Sequence, residues 1–247
     1  MTETAQREGT DRVAVLVPAA GRGARLGGTR KQFRRLGGRP LLEQTLRTLA
    51  AHPEVDELIV AVPTDRVEQV AVALQEARLP GAWQVVAGGR TRQESVRAAL
   101  EALAAEVDIV LVHDAVRPFI LPEQISAVLE ATRRVGAAAL AIPETDTVRR
   151  VHDSLLGETV PRAGLYRMQT PQGFRRDWLE AAHRQYGHEA ATDDVELVQR
   201  LGYPVVCVPG SSFNFKITTA EDWELALLIW PYWEARLRRQ SEGSLRR

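Results

Sequence analysis

The sequence predicts one α/β domain, an open, mostly parallel twisted sheet with helices on both faces. Three observations lead there. Short β-branched runs alternate with amphipathic segments along most of the chain. The runs Val13-Ala14-Val15-Leu16-Val17 and Ile109-Val110-Leu111-Val112 are apolar without interruption, as suits strands buried on both faces. The segments between strands are long enough for the crossover helices that parallel neighbours require. With 247 residues, 45% of them hydrophobic, the chain can bury such a core.

Each element follows from its local pattern. Residues 12–18 read as the first strand and 41–51 as a helix. Residues 57–62 form a strand, and 64–77 a helix opened by Thr64-Asp65. Residues 84–87 are a short strand and 92–105 a helix. A strand over 108–113 precedes a helix over 122–134, whose first residue, Pro122, needs no amide donor there. Residues 137–142 form the next strand, and the rhythm breaks at Pro143. Two short polar strands, 147–152 and 159–161, flank the turn Ser154-Leu155-Leu156-Gly157. They form either a β-arm, at about 143–164, that projects toward another subunit, or an ordinary surface hairpin. Helices at 175–186, 193–201 and 220–228 and a strand at 205–208 complete the pattern. The domain is expected over 12–230, with 1–11 and the arginine-rich 235–247 as flexible termini.

Composition excludes several function classes. Basic and acidic residues number 32 each, so bulk electrostatic binding to nucleic acid or to an acidic membrane is not expected. One cysteine, Cys207, allows no intrachain disulfide and no cysteine-based zinc cluster. In the run Val205-Val206-Cys207-Val208 it reads as a buried core thiol. The five histidines lack metal-ligand spacing, and His183 and His188 read as surface residues of a helix. The N-terminal stretch lacks a signal core, and no apolar run is long enough to span a bilayer, so a cytoplasmic protein is expected. One count is unusual: of the 32 basic residues only Lys31 and Lys216 are lysine.

The first strand runs into a glycine-rich loop, Pro18-Ala19-Ala20-Gly21-Arg22-Gly23-Ala24-Arg25-Leu26-Gly27-Gly28-Thr29-Arg30-Lys31-Gln32. A loop at that place in an open sheet sits where ligands bind, and its glycines let backbone amides approach phosphate oxygens. Arg25 and Lys31 follow closely enough to close over a triphosphate. The loop is no P-loop, and Leu26 stands where a dinucleotide motif needs its third glycine. A mobile basic loop is the plain alternative.

Further segments share an order with this loop. They are Gly88-Gly89-Arg90-Thr91-Arg92-Gln93-Glu94-Ser95-Val96, Val112-His113-Asp114-Ala115-Val116-Arg117-Pro118, Asp146-Thr147-Val148, Thr170-Pro171-Gln172, Thr192-Asp193-Asp194 and Asn214-Phe215-Lys216-Ile217-Thr218. Together, over about residues 12–229, they resemble the 2-C-methyl-D-erythritol 4-phosphate cytidylyltransferase family of sugar-phosphate nucleotidyltransferases. The resemblance implies a Rossmann-like sheet with a protruding β-arm used in dimerisation. It implies CTP and methylerythritol 4-phosphate as substrates, Mg2+ as cofactor and a homodimer as the active unit.

Site residues follow from the same resemblance. Arg25, Lys31 and Lys216 would hold phosphates and stabilise the charged transition state. Ala19, Ala20, Gly21 and Gly23 would contact the nucleotide, and Gly88, Gly89 and Ser95 the cytosine and ribose. Asp114 and Ala115 would lie near the ribose and substrate hydroxyls; the metal would be held mainly by the CTP phosphates, with no protein ligand assigned and Asp114 the one candidate near it. Arg117, Thr147, Arg162, Thr170 and Thr192 would surround the methylerythritol phosphate, with Thr147 and Arg162 serving the partner subunit. Each has a plain rival reading. Thr192 before Asp193-Asp194 is an ordinary helix N-cap, and the two aspartates suit a helix dipole. Rival functions are a cytidylyltransferase for ribitol 5-phosphate, a guanylyl- or uridylyltransferase, and a non-catalytic nucleotide-binding protein.

Overall fold

The computed structural model describes residues 11–21 and 30–244. In chain order the elements begin with β1 (Arg12–Pro18), the small hairpin β2 (Arg35–Leu36) and β3 (Arg39–Pro40), α1 (Leu41–Ala50) and β4 (Glu57–Val62). Next come α2 (Val67–Glu76), β5 (Ala82–Ala87), α3 (Arg92–Glu101), β6 (Val107–Val112), α4 (Pro122–Val135) and β7 (Ala137–Pro143). The last third holds β8 (Val148–His152), β9 (Leu155–Val160), β10 (Tyr166–Arg175), α5 (Arg176–Tyr186), α6 (Asp194–Arg200), β11 (Val206–Pro209) and α7 (Ala220–Ser244).

Seven strands form the central sheet in the order β11-β7-β10-β6-β1-β4-β5. Its pairs are parallel except those of β10, which runs antiparallel to both β6 and β7. Period-two alternation sends Val13, Val15 and Val17 to the face covered by Leu46 of α1, Leu74 of α2 and Val128 of α4. Ala14 and Leu16 point the other way, onto Val96 of α3, Leu179 of α5 and Leu197 of α6. Burial on both faces is why these strands read as unbroken apolar runs. A third cluster packs Phe119 and Leu41 against Trp223, Trp230 and Trp233 of α7. The chain leaves β1 toward β4 on one side and returns to β6 on the other. β1 is therefore the switch point, and its carboxyl end is where such sheets open a crevice.

Two caps place functional segments. Thr91 caps α3 in a capping box with Glu94, which sets Arg92 as the first helical residue. Gly136 ends α4 in the left-handed region at φ 102°, a conformation that costs glycine little.

Several expectations need correction. β10 has no counterpart among the expected strands, and Pro171 lies in its middle. The register shifts between Met168 and Gln172, so the proline sits at an irregularity instead of in a regular ladder. The hairpin turns at Asp153 and Ser154, both at positive φ, and Leu155 already opens β9. The helix expected from Thr64 begins as a 3-10 turn, Thr64–Arg66, before α2. α7 runs past Leu228 and Pro231, and the segment from Ala235, expected to be flexible, is helical as far as Ser244. Buried Trp230 and Trp233 anchor it there. Cys207 is exposed instead of buried, because Val206 and Val208 of the edge strand β11 turn inward and Cys207, between them, faces the other way into an open groove. His183 is buried, contrary to a surface reading.

The hairpin, called the arm below, is a separate two-stranded sheet, β8 with β9. Its apolar Val151, Leu155 and Leu156 are exposed. No described helix is long and apolar enough to cross a membrane.

Candidate active site

The carboxyl ends of β1, β5 and β6 frame a pocket of about 420 Å³. After β1, Ala19 donates its amide to Ala61 O at 2.7 Å, so the loop leaves the sheet along β4. Gln32 braces this loop from behind. Its buried side-chain amide donates to Ala19 O at 2.7 Å and to Gly21 O at 3.0 Å. After β5, Gly88 packs directly on Ala20, and a Cβ at Gly88 would lie 2.6 Å from the Ala20 Cβ. Gly89 donates its amide to Ser95 Oγ at 3.2 Å, which ties that loop to α3.

After β6 comes Asp114, the only carboxylate among the described residues lining the pocket. Its Oδ1 accepts from Arg92 Nε at 3.1 Å. Its Oδ2 lies 3.0 Å from Lys216 Nζ and accepts from Arg117 Nε at 3.3 Å. Arg117 also donates to Asn214 O at 2.7 Å, and Asn214 Nδ2 donates to Thr170 O at 2.8 Å. Thr170 Oγ1 in turn accepts the Asp114 amide at 3.0 Å. The Thr170 hydroxyl lies 3.2 Å from His113 Nδ1, while His113 Nε2 lies 3.0 Å from Arg117 O. A carbonyl only accepts, so Nε2 carries the proton and Nδ1 accepts from Thr170.

Lys31 reaches the same place from the other side, donating to Ile217 O at 2.8 Å. Both lysines of the chain therefore line one pocket.

The charges are strongly held. Burial by itself would raise the Asp114 carboxyl, but Arg92, Lys216 and Arg117 outweigh it and hold it well below the usual carboxylate range. Burial would also lower Arg92, yet Asp194 and Asp114 overcome this and raise it. Burial lowers Arg117 despite Asp114 beside it. Burial also pushes His113 down to about 4 and keeps it neutral. Lys31, Arg90, Arg92 and Lys216 thus line the pocket with one carboxylate, Asp114, an excess of positive charge suited to phosphates.

Of the expected site residues, Ala19, Ala20, Gly21, Lys31, Ser95, Asp114, Ala115 and Lys216 line this pocket. Gly88 and Gly89 lie in the loop directly behind Ala20 and Ser95. Arg117 and Thr170 hold Asp114 from below. Gly23 and Arg25 lie outside the described residues. Thr147 and Arg162 belong to the arm segment, are exposed and do not line the pocket. Thr192 lines a second groove of about 780 Å³ beside β11, with Asp193, Tyr166 and Met168. It is not the N-cap of α6. That role falls to Asp193, whose side chain accepts the Glu196 amide.

Sequence reasoning gives no role to Arg92, Gln32, Asn214 or Asp194. All four sit inside segments that carry the resemblance, so a signal is present for each. Asp194 reads as a dipole residue, but it is 1% exposed and bonded to Arg92 at 2.6 Å.

An open α/β sheet with a cation-lined pocket at its switch point defines a nucleotide-binding enzyme of phosphate chemistry. Comparison with known proteins narrows the class. Residues 13–230 match the family IspD, 2-C-methyl-D-erythritol 4-phosphate cytidylyltransferase, and the chain belongs to that family. A protein of that name from Salinibacter ruber is 55% identical over 223 residues, covering 90% of this chain and 94% of that protein. One from Deinococcus radiodurans is 44% identical, covering 90% of this chain and 91% of that protein. The crystal structure of the Thermus thermophilus enzyme of that name superposes with a TM-score of 0.73 at 39% identity, covering 89% of this chain and 99% of that one.

Proposed function

We infer that the protein transfers the cytidylyl group of CTP to 2-C-methyl-D-erythritol 4-phosphate. The products are 4-diphosphocytidyl-2-C-methyl-D-erythritol and pyrophosphate, in non-mevalonate isoprenoid precursor synthesis. The observation that carries this reading is the convergence of both lysines on the Asp114 pocket of a chain in this family.

A phosphate oxygen of the acceptor attacks the α-phosphorus of CTP. The new P–O bond forms as the bond to the bridging oxygen of the β-phosphate breaks, and pyrophosphate leaves with that electron pair. The attacking phosphate is already anionic, so no side chain needs to remove a proton. The protein must position two anions and hold their charge. Arg25 and Lys31 serve the triphosphate, and Lys216 serves the α-phosphate beside Asp114. Ala19, Ala20, Gly21 and Gly23 provide the loop backbone, and Gly88, Gly89 and Ser95 the base and ribose side. The close packing of Gly88 on Ala20 supports this, since it leaves backbone groups to face the ligand. Arg117, Thr170 and Thr192 complete the acceptor side.

Asp114 already pairs with three cations, and among the described residues no three ligand groups converge. That donor set fits a divalent ion carried by the triphosphate better than a protein cage. Mg2+ bound to CTP would neutralise phosphate charge, with Asp114 the carboxylate within reach.

The arm supplies Thr147 and Arg162 to the partner's site in a homodimer. The exposed Val151, Leu155 and Leu156 support this, since an arm needs something to cover them. Mixing an Arg162→Ala protein with a Lys31→Ala protein tests it. Heterodimers with one intact site would restore up to about a quarter of wild-type activity. No restoration would place the arm in its own subunit.

The reaction is tested by pyrophosphate release with CTP, Mg2+ and a panel of acceptors. Fastest turnover is expected with methylerythritol 4-phosphate. Faster turnover with ribitol 5-phosphate, or with GTP or UTP in place of CTP, would overturn the assignment.

A further inference from the structure

A buried chain of charges leads from the pocket through Arg92 to the interface of α5 and α6. Arg92 gives Nε to Asp114 at 3.1 Å and Nη1 to Asp194 at 2.6 Å. The other oxygen of Asp194 lies 2.9 Å from His183 Nε2. Asp194 and His183 are 1% and 5% exposed, and both lie off the pocket lining.

The α6 helix does not need Asp194 as a cap. Asp193 already accepts the Glu196 amide at 3.1 Å. Packing does not need a carboxylate there either, since burying one is costly and an apolar residue of similar volume serves packing as well. What the charge does is hold Arg92. A guanidinium bonded through Nε to one carboxylate and through Nη1 to another has its plane fixed by its own fork. In that plane Arg92 engages Asp114 Oδ1, leaving Oδ2 to Lys216 and Arg117.

We propose that Asp194 and His183 are positioning residues for cytidylyl transfer: through Arg92 they set the orientation of the Asp114 carboxylate and hence of Lys216. This rests on the reaction assigned above. Asp194 is buried behind the pocket lining. Removing its charge leaves the pocket more positive, so CTP affinity should hold while orientation is lost. A residue that merely stabilised the fold would not separate the two.

The experiment is a double-mutant cycle on the full chain, read by pyrophosphate release with CTP and methylerythritol 4-phosphate. Asp194→Asn should lower kcat by about tenfold to a hundredfold, with KM for CTP within about twofold of wild type. In an Arg92→Ala background the same substitution should change kcat by less than about twofold, because its route to the site is gone. Losses that multiply, or an Asp194→Asn rate equal to wild type, overturn the proposal. If Asp194→Asn fails to fold, the pair His183→Gln and His183→Leu asks the same question. Gln keeps a donor to Asp194 and should retain most of kcat, whereas Leu should lose it; equal rates for the two overturn the proposal. An active wild type with multiplying losses removes only the relay. A wild type inactive with both substrates removes the assigned reaction and the relay with it.

Discussion

The Asp114 pocket and the β-arm use similar side chains and similar distances. Arg150 and Glu158 of the arm meet at 2.7 Å, closer than any of the three cations meets Asp114. Yet both arm side chains are 63% exposed, while that of Asp114 is 8% exposed. Water screens the first pair, whereas the second group has traded hydration for fixed partners. Environment, not distance, separates a preorganised site from a surface contact. The pocket is held from below by Thr170, Asn214 and Gln32, while the arm displays apolar side chains.

The sharpest test of that contrast is at the lysines. Lys31→Ala should lower kcat about 10²–10³-fold with the fold intact, as loss of a preorganised charge does at a reacting centre. Turnover near wild type, measured by pyrophosphate release, would remove Lys31 from the chemistry.

Next comes pH. His113 lies beside Asp114 and is fully buried, while His152 of the arm is exposed. Free histidine titrates near 6.5, and burial pushes His113 down to about 4. Between those values the unfolded chain takes up a proton that the folded one refuses. Stability therefore falls as pH drops through that window and is regained as pH rises. Between pH 7 and pH 4.5 the His113 contribution is on the order of 2 kcal/mol. Denaturant unfolding at pH 7 and pH 4.5 reads it. A His113→Gln variant should lose much of the slope, and an unchanged slope would contradict the buried neutral state.

A smaller effect separates ammonium from guanidinium. Lys31→Arg should lower turnover about tenfold although charge is kept, because a planar fork does not replace a compact point charge. Wild-type turnover would mean that charge alone matters there. Smallest of all, Arg150→Ala in the arm should change stability by less than about 0.5 kcal/mol. A larger loss in thermal unfolding would show that exposure underrates the arm.

Much of this is legible in sequence. The unbroken runs of β1 and β6 announce a doubly covered sheet, and the glycine loop after β1 announces the pocket's place. The rarity of lysine points to two residues that do converge. Other features are hidden because their causes are not local. Arg92 and Asp194 meet across 102 residues, and nothing near either forecasts the partner. β10 is missing from the expected strands, and Pro171 sits at its irregularity. Cys207 looks buried because its neighbours are apolar, but strand order, which the run does not encode, leaves β11 at an edge. α7 outlasts Pro231 because Trp230 and Trp233 find a core supplied by Phe119, far away in the chain.

The most direct measurement is pyrophosphate release from CTP with methylerythritol 4-phosphate, run side by side on wild type and Lys216→Ala. Acceptor-dependent release by wild type and a loss of at least about a hundredfold in the variant are expected. Equal rates in the two proteins, or no dependence on the acceptor, would contradict the role of the Asp114 pocket.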